Sequence, residues 1–205
     1  MGAALSPQAA SVDILAGSNP DPFRVLVGTL VSLRTRDEVT LPASERLLSV
    51  APDPETLANL KTERIAELIY PAGFYRTKAR NLKAIAQLLR DRHGGSVPAD
   101  RGELIALPGV GRKTANLVLG VGHGIPAICV DIHVHRIPNR IGIVTTKTPE
   151  QTEAALESLL PQRLWIPVNP LLVRFGQQIC TPVSPWCSRC PLTAECARIG
   201  VSRSR

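Results

Sequence analysis

The sequence predicts an all-α protein. Three observations carry that reading: apolar residues recur mainly at helical spacing, alternating strand patterns are nearly absent, and helix-starting and helix-stopping residues punctuate the chain. The 205 residues suffice for one domain or two small ones sharing a core, and the 44% hydrophobic content argues against disorder. No internal repeat or low-complexity linker divides the chain.

The elements follow in order. Asp21 is placed to cap a helix that Pro22 opens and whose apolar segment runs over 23–33. Segments 54–60 and 62–69 read as short helices. Segment 76–92 sets Ala79, Leu82, Ile85, Leu88 and Leu89 on one face and basic residues on the other, and Gly94-Gly95 ends it. Further helices fit 101–106, 112–121, 149–160 and 170–178, and Asp131 should begin another that contains Pro138. The apolar run 125–130 stands alone.

The longest apolar run, Val25 to Leu33, is about nine residues against the roughly 20 that a membrane span requires. No basic stretch precedes an apolar one at the N-terminus, so a soluble chain without a signal peptide is expected. Gly2 with Ser6 matches the myristoylation pattern only weakly, because no basic patch follows. Lys and Arg number 24 against 17 Asp and Glu, a formal charge of +7 that suits a polyanionic partner. With only two Trp, two Tyr and three Phe, stacking platforms for single strands are disfavoured, and double-stranded nucleic acid held through its backbone is the better fit.

Cys129 stands alone, whereas Cys180, Cys187, Cys190 and Cys196 are clustered near one end. Without an export signal this clustering reads as a metal or cluster site in a reducing compartment rather than a disulfide frame. Four thiolates suit zinc and a [4Fe–4S] cluster alike, and the cysteines alone do not choose between them. Pro182, Pro185 and Pro191 favour a rigid loop around the metal, and Cys129 in its apolar run reads as a core residue.

Between two helices lies Leu107-Pro108-Gly109-Val110-Gly111-Arg112-Lys113-Thr114-Ala115. Gly109 and Gly111 can take positive φ and let a ligand approach the backbone, and the helix that starts beyond them directs its positive end at an anion such as a phosphate. An ordinary αα-corner is the alternative, weakened by the Arg-Lys pair that follows directly. Lys113 falls in the first helical turn beside Arg112, a position where the helix dipole and Arg112 are expected to disfavour a cation. A neutral amine is what a Schiff-base nucleophile requires, and a solvated phosphate-contacting lysine is the other reading. Asp131, in Val130-Asp131-Ile132-His133-Val134-His135-Arg136, reads first as a helix cap, a role compatible with accepting a lysine proton and stabilising a cationic sugar. His133 and His135 cannot both face one site at helical spacing, and His135 reads as a satisfied structural residue.

Together these motifs resemble the endonuclease III family, the iron–sulfur branch of the helix-hairpin-helix DNA glycosylases. The resemblance rests on Leu107–Thr114, Val130-Asp131-x-His133 and the four-cysteine spacing, with Val31–Asp37 and Gly73–Arg76 extending it over nearly the whole chain. It implies a two-part fold: a six-helix domain over 15–126 carrying the hairpin, and a helical domain from 1–14 and 127–205 with a [4Fe–4S] cluster loop at 180–196. Lys113 would attack the sugar C1′, and Asp131 would assist it. Gly109, Gly111 and Arg112 would hold the phosphate backbone. Phe74 would enter the duplex as a wedge, Arg34 would supply the stacking that a flipped-out base gives up, and His133 would add a DNA contact. Cys180, Cys187, Cys190 and Cys196 would hold the cluster, so the resemblance favours iron–sulfur over zinc.

Several residues depart from the family's common pattern: Arg34 in place of glutamine, Phe74 in place of an aliphatic wedge, Ile132 in place of threonine, Pro138 within the helix, and a Thr181–Trp186 loop without basic residues. Lys113 also separates this chain from related adenine-mismatch glycosylases, which lack that lysine and carry a further C-terminal domain not expected here.

The expected function is therefore a base-excision glycosylase and abasic-site lyase for oxidised pyrimidines. It would act as a cytoplasmic monomer on double-stranded DNA, nucleoid-associated in a bacterium and away from membranes. The alternatives are a non-catalytic damage-binding or redox-sensing protein on the same fold, which would need neither Lys113 nor Asp131, and a zinc-dependent transcriptional DNA binder.

Overall fold

The structure, a computed structural model, describes residues 20–205, and every regular element among them is helical. Segment 1–14 and the Gly2–Ser6 pattern lie outside the described residues. The chain divides into two compact units, 20–127 and 128–205 among the described residues.

In the first unit, helix α1 (Pro22–Ser32) opens where Asp21 Oδ1 accepts the Phe23 N–H at 2.8 Å, and Val25 to Val31 are buried without a break. Helix α2 (Asp37–Val50) was not anticipated from the sequence. Its buried face consists of Thr40, Ala43, Ser44, Leu47 and Leu48, which have helical spacing but small or polar side chains in three of the five positions, and Pro42 interrupts its interior. Helices α3 (Pro54–Asn59), capped by Asp53, and α4 (Thr62–Ile69) pack on α5 (Tyr75–Arg92), the long amphipathic helix. Ala79, Leu82, Ile85 and Leu89 of α5 are buried, as their spacing requires. Helix α6 (Arg101–Ile105) leads through the hairpin into α7 (Arg112–Leu117). Segment 112–121 is not one α-helix, because α7 passes at Val118–Gly122 into a π turn that lies on α1. One continuous core fills this unit, with Leu26, Leu47, Leu57, Ile65, Leu82 and Leu104 among its fully buried side chains. Each such side chain contributes about 1.5–3 kcal/mol through its removal from water.

Segment 124–130 carries no regular element, and in the second unit α8 (Ile132–Ile141) follows with Pro138 in its interior. Helix α9 (Pro149–Leu159) is capped by Thr148. Helix α10 (Trp165–Gln178) begins at Trp165 rather than Pro170. Pro167 sits in its first turn, where no intrahelical N–H is needed, and the chain carries Pro170 without ending the helix. The unit has two smaller cores, one around Ile128, Val134 and Leu156, the other around Ile137, Phe175, Ile179 and Cys180. No described helix is long and apolar enough to cross a membrane.

Candidate DNA-repair site

The hairpin is built from local bonds. Leu107 and Val110 are buried anchors, and the Val110 N–H donates to the Leu107 carbonyl at 3.1 Å to close the turn. Only one of the two glycines uses positive φ. Gly109 sits at φ +78°, and a Cβ there would run into the Asn81 amide of α5, so the turn and the close approach both demand glycine. Gly111, at φ −96° and ψ 175°, is the N-cap of α7 in extended backbone with open space around it. Helix α7 therefore starts without a side-chain cap. It buries Thr114, Ala115 and Asn116 and turns Arg112 and Lys113 outward, exposed.

The loop after α1 and the loop before α5 come together in the same unit. Arg34 and Phe74 both take left-handed backbone, at φ +51° and +56°, a conformation costing roughly 1–2 kcal/mol for a residue with a Cβ. The Arg34 guanidinium lies 5.8 Å from the centre of the Phe74 ring, and Phe74 is 65% exposed. Beneath them Lys78 is buried. Its Nζ donates to the carbonyls of Val31 (2.6 Å) and Leu33 (2.5 Å) and to Thr35 Oγ1 (2.7 Å), and burial pushes its pKa down to about 8. Nothing in the sequence marked this lysine, which belongs by spacing to the buried face of α5.

In the second unit Asp131 is the N-cap of α8. Its Oδ1 accepts the N–H groups of His133 (2.9 Å) and Val134 (2.8 Å), so that Oδ2 carries no cap bond. His133 is half-buried, its Nδ1 is 3.1 Å from Arg136 Nη2, and a Cβ on Gly176 of α10 would meet its ring. His135 pairs with Thr152 Oγ1 at 2.6 Å, a satisfied structural residue as expected.

Cys180, Cys187, Cys190 and Cys196 line one apolar pocket with Phe175 and Trp186, and none forms a disulfide. Arg140, buried, donates from Nη1 to Cys180 Sγ at 3.3 Å and also holds the Thr181 and Pro182 carbonyls. The Arg198 N–H points at Cys196 Sγ, 3.4 Å away. Such N–H···S contacts are those that metal-bound thiolates accept. Burial pushes the Cys190 thiol up, and the neighbouring Cys180, Cys196 and Cys187 add to it. No described group of three His, Cys, Asp or Glu is close enough to ligate one metal ion. Trp186, beside the thiols, carries the Arg189 and Arg205 guanidinium groups at 4.3 and 4.0 Å from its ring centre. Cys129 is buried away from this pocket.

Comparison with known proteins adds a common identity to these features. Residues 27–162 match the family model described as HhH-GPD superfamily base excision DNA repair protein. The chain is 52% identical over 176 residues to endonuclease III of Thermotoga maritima, covering 86% of this chain and 83% of that protein. It is 36% identical to endonuclease III of Bacillus subtilis over 186 residues, covering 90% and 84%. The solved structure of a trapped endonuclease III–DNA covalent intermediate superposes with a TM-score of 0.82 at 34% identity, over 89% of this chain and 86% of that one.

Proposed function

The chain belongs to the HhH-GPD superfamily of base excision DNA repair proteins, in its endonuclease III branch, and on that premise we propose that Lys113 and Asp131 carry a glycosylase and abasic-site lyase reaction on oxidised pyrimidines in double-stranded DNA. The Lys113 amine attacks C1′ of the damaged nucleotide, and the base leaves with the bonding electron pair and takes a proton. Ring opening gives a Schiff base between Lys113 and C1′. Loss of a C2′ proton then breaks the C3′–O bond and frees the 3′ strand. Asp131 accepts the proton that the lysine must lose and offsets positive charge on the sugar. Gly109, Gly111 and Arg112 hold backbone phosphate at the hairpin. Phe74 and Arg34 enter the duplex, offsetting the roughly few kcal/mol that base flipping costs, and His133 adds a contact near the aspartate.

One observation carries the reading: an exposed lysine on the first turn after a glycine hairpin, in a chain 34% identical to a protein trapped covalently on DNA. The test is a duplex bearing one oxidised pyrimidine. Release of the base together with a nick at the lesion is expected. Tight binding with neither product would support the non-catalytic alternative instead.

The four pocket cysteines fit a [4Fe–4S] cluster better than a single zinc ion. Tetrahedral zinc needs its sulfurs about 2.3 Å from one point, whereas a four-iron cluster holds them further apart. Arg140 and the Arg198 N–H would stabilise its thiolates, and its binding energy would anchor the 180–196 loop. A chain acting on chromosomal DNA would work in the cytoplasm, at the nucleoid of a bacterium.

A further inference from the structure

Lys78 has an unusual setting. It is 8% exposed, it has no acidic partner among the described residues, and its three ammonium hydrogens meet three acceptors in the last turn of α1 and the loop that leaves it. One of those acceptors, Thr35 Oγ1, also takes the N–H of Gly73 at 3.1 Å, from the other loop. The two backbones touch at this point, since a Cβ on Gly73 would run into the Arg34 carbonyl. A single knot of Lys78, Thr35 and Gly73 therefore ties together the loops from which Arg34 and Phe74 project.

Phe74 is also tied to the start of α5, where its carbonyl accepts the Lys78 N–H at 3.0 Å, and Arg34 lies against its ring. Both take left-handed backbone outside any helix interior, and Phe74 has most of its surface in solvent. Strained backbone persists only where surrounding structure determines it, and here the surrounding structure is the knot. From this juxtaposition we infer that Lys78, acting through Thr35, is a positioning residue that holds Arg34 and Phe74 in register for insertion into the duplex. The inference rests on the reading that Arg34 and Phe74 enter DNA. It makes base extrusion, rather than chemistry at the sugar, the step that the buried lysine serves.

The test compares two substrates using the full chain with its cofactor: a fully paired duplex lesion, and an abasic site in an unpaired bubble, where no base has to be extruded. Lys78→Met and Thr35→Val are measured beside Phe74→Ala, all under single turnover. Thr35→Val keeps its shape and removes only the shared hydroxyl, so it reports even if Lys78→Met fails to fold. Both knot variants should slow the paired substrate on the order of 10–100-fold, as misplacement of a reacting partner does, and leave the bubble nearly unaffected. Combining Thr35→Val with Phe74→Ala should add little to Phe74→Ala alone, because the two act in one unit. If Phe74→Ala slows the paired substrate but neither knot variant does, the positioning role is wrong while the wedge reading stands. If Phe74→Ala itself leaves the paired substrate untouched, the wedge reading fails and takes this inference with it. Equal losses on both substrates, in step with a lower melting temperature, would make Lys78 a structural residue only and overturn the proposal.

Discussion

Lys113 and Lys78 lie in the same helical unit, yet the fold gives them opposite settings. Lys113 stands exposed on a helix start shaped by neighbours within a few residues, with Arg112 beside it. Lys78 is buried among acceptors 43 to 47 residues away in sequence, and burial pulls its pKa down to about 8. An exposed amine can reach an external electrophile, whereas an amine saturated by three internal acceptors cannot. Under the proposed mechanism chemistry falls to the first lysine and architecture to the second.

The largest expected effect concerns Asp131, the proposed proton acceptor. Asp131→Asn should keep α8 capped, because asparagine caps nearly as well, while single-turnover base release falls by about 10²–10⁴, the usual worth of a general base. A rate within a factor of two of wild type would leave Asp131 with the cap alone, and Lys113 would then need another proton acceptor.

Stability separates the lysines next. Lys78→Met takes the ammonium donor from the Val31 and Leu33 carbonyls, while the Thr35 hydroxyl keeps the Gly73 N–H, at a cost of about 1–3 kcal/mol for each carbonyl left unsatisfied. Lys113→Met, at an exposed position, should stay within about 0.5 kcal/mol of wild type. Urea denaturation of both variants decides the matter, and equal destabilisation would erase the distinction.

A smaller effect sharpens the picture of the hairpin. Arg112→Ala should flatten the log–log salt dependence of affinity for undamaged duplex by about 0.9, the increment that one neutralised phosphate contributes. An unchanged slope removes Arg112 from the phosphate-binding set.

The smallest effect contrasts Asp131 with a cap that has no chemistry. Asp53 starts α3 by accepting the Thr56 N–H at 2.7 Å, which lowers its pKa from the ordinary 3.8. A carboxylate whose folded pKa is depressed adds stability that is complete above its unfolded pKa and is lost as pH falls through the folded one. Asp53→Asn should therefore blunt acid denaturation slightly and leave turnover unchanged. A loss of activity comparable to that of Asp131→Asn would show that capping, not chemistry, underlies the Asp131 effect.

What the sequence revealed follows the same division between local and distant causes. Helices with a mostly apolar buried face, such as α1 and α5, are legible, as are the hairpin and the cap at Asp131, because a few neighbouring residues determine each of them. Helix α2 is not, since Thr40 and Ser44 occupy its buried face and Pro42 its interior. The start of α10 was placed too late because a proline inside a helix looks like its beginning. Arg34 and Phe74 could be singled out as individual residues, but not their left-handed backbone or the lysine beneath them, which exist only once two distant loops meet. The setting of His133 against Gly176 is tertiary in the same sense. The four cysteines were legible as a set, whereas Arg140 at Cys180 was not.

The central claim, that the exposed lysine forms the covalent bond, has one direct measurement. Borohydride reduction during turnover of a lesion-bearing duplex should fix the protein to DNA, and peptide mapping should place the nucleotide remnant on Lys113. Lys113→Gln, checked to melt with the wild type, should yield no adduct and release no base. An adduct mapped to another residue, or trapping that persists in Lys113→Gln, would contradict the account.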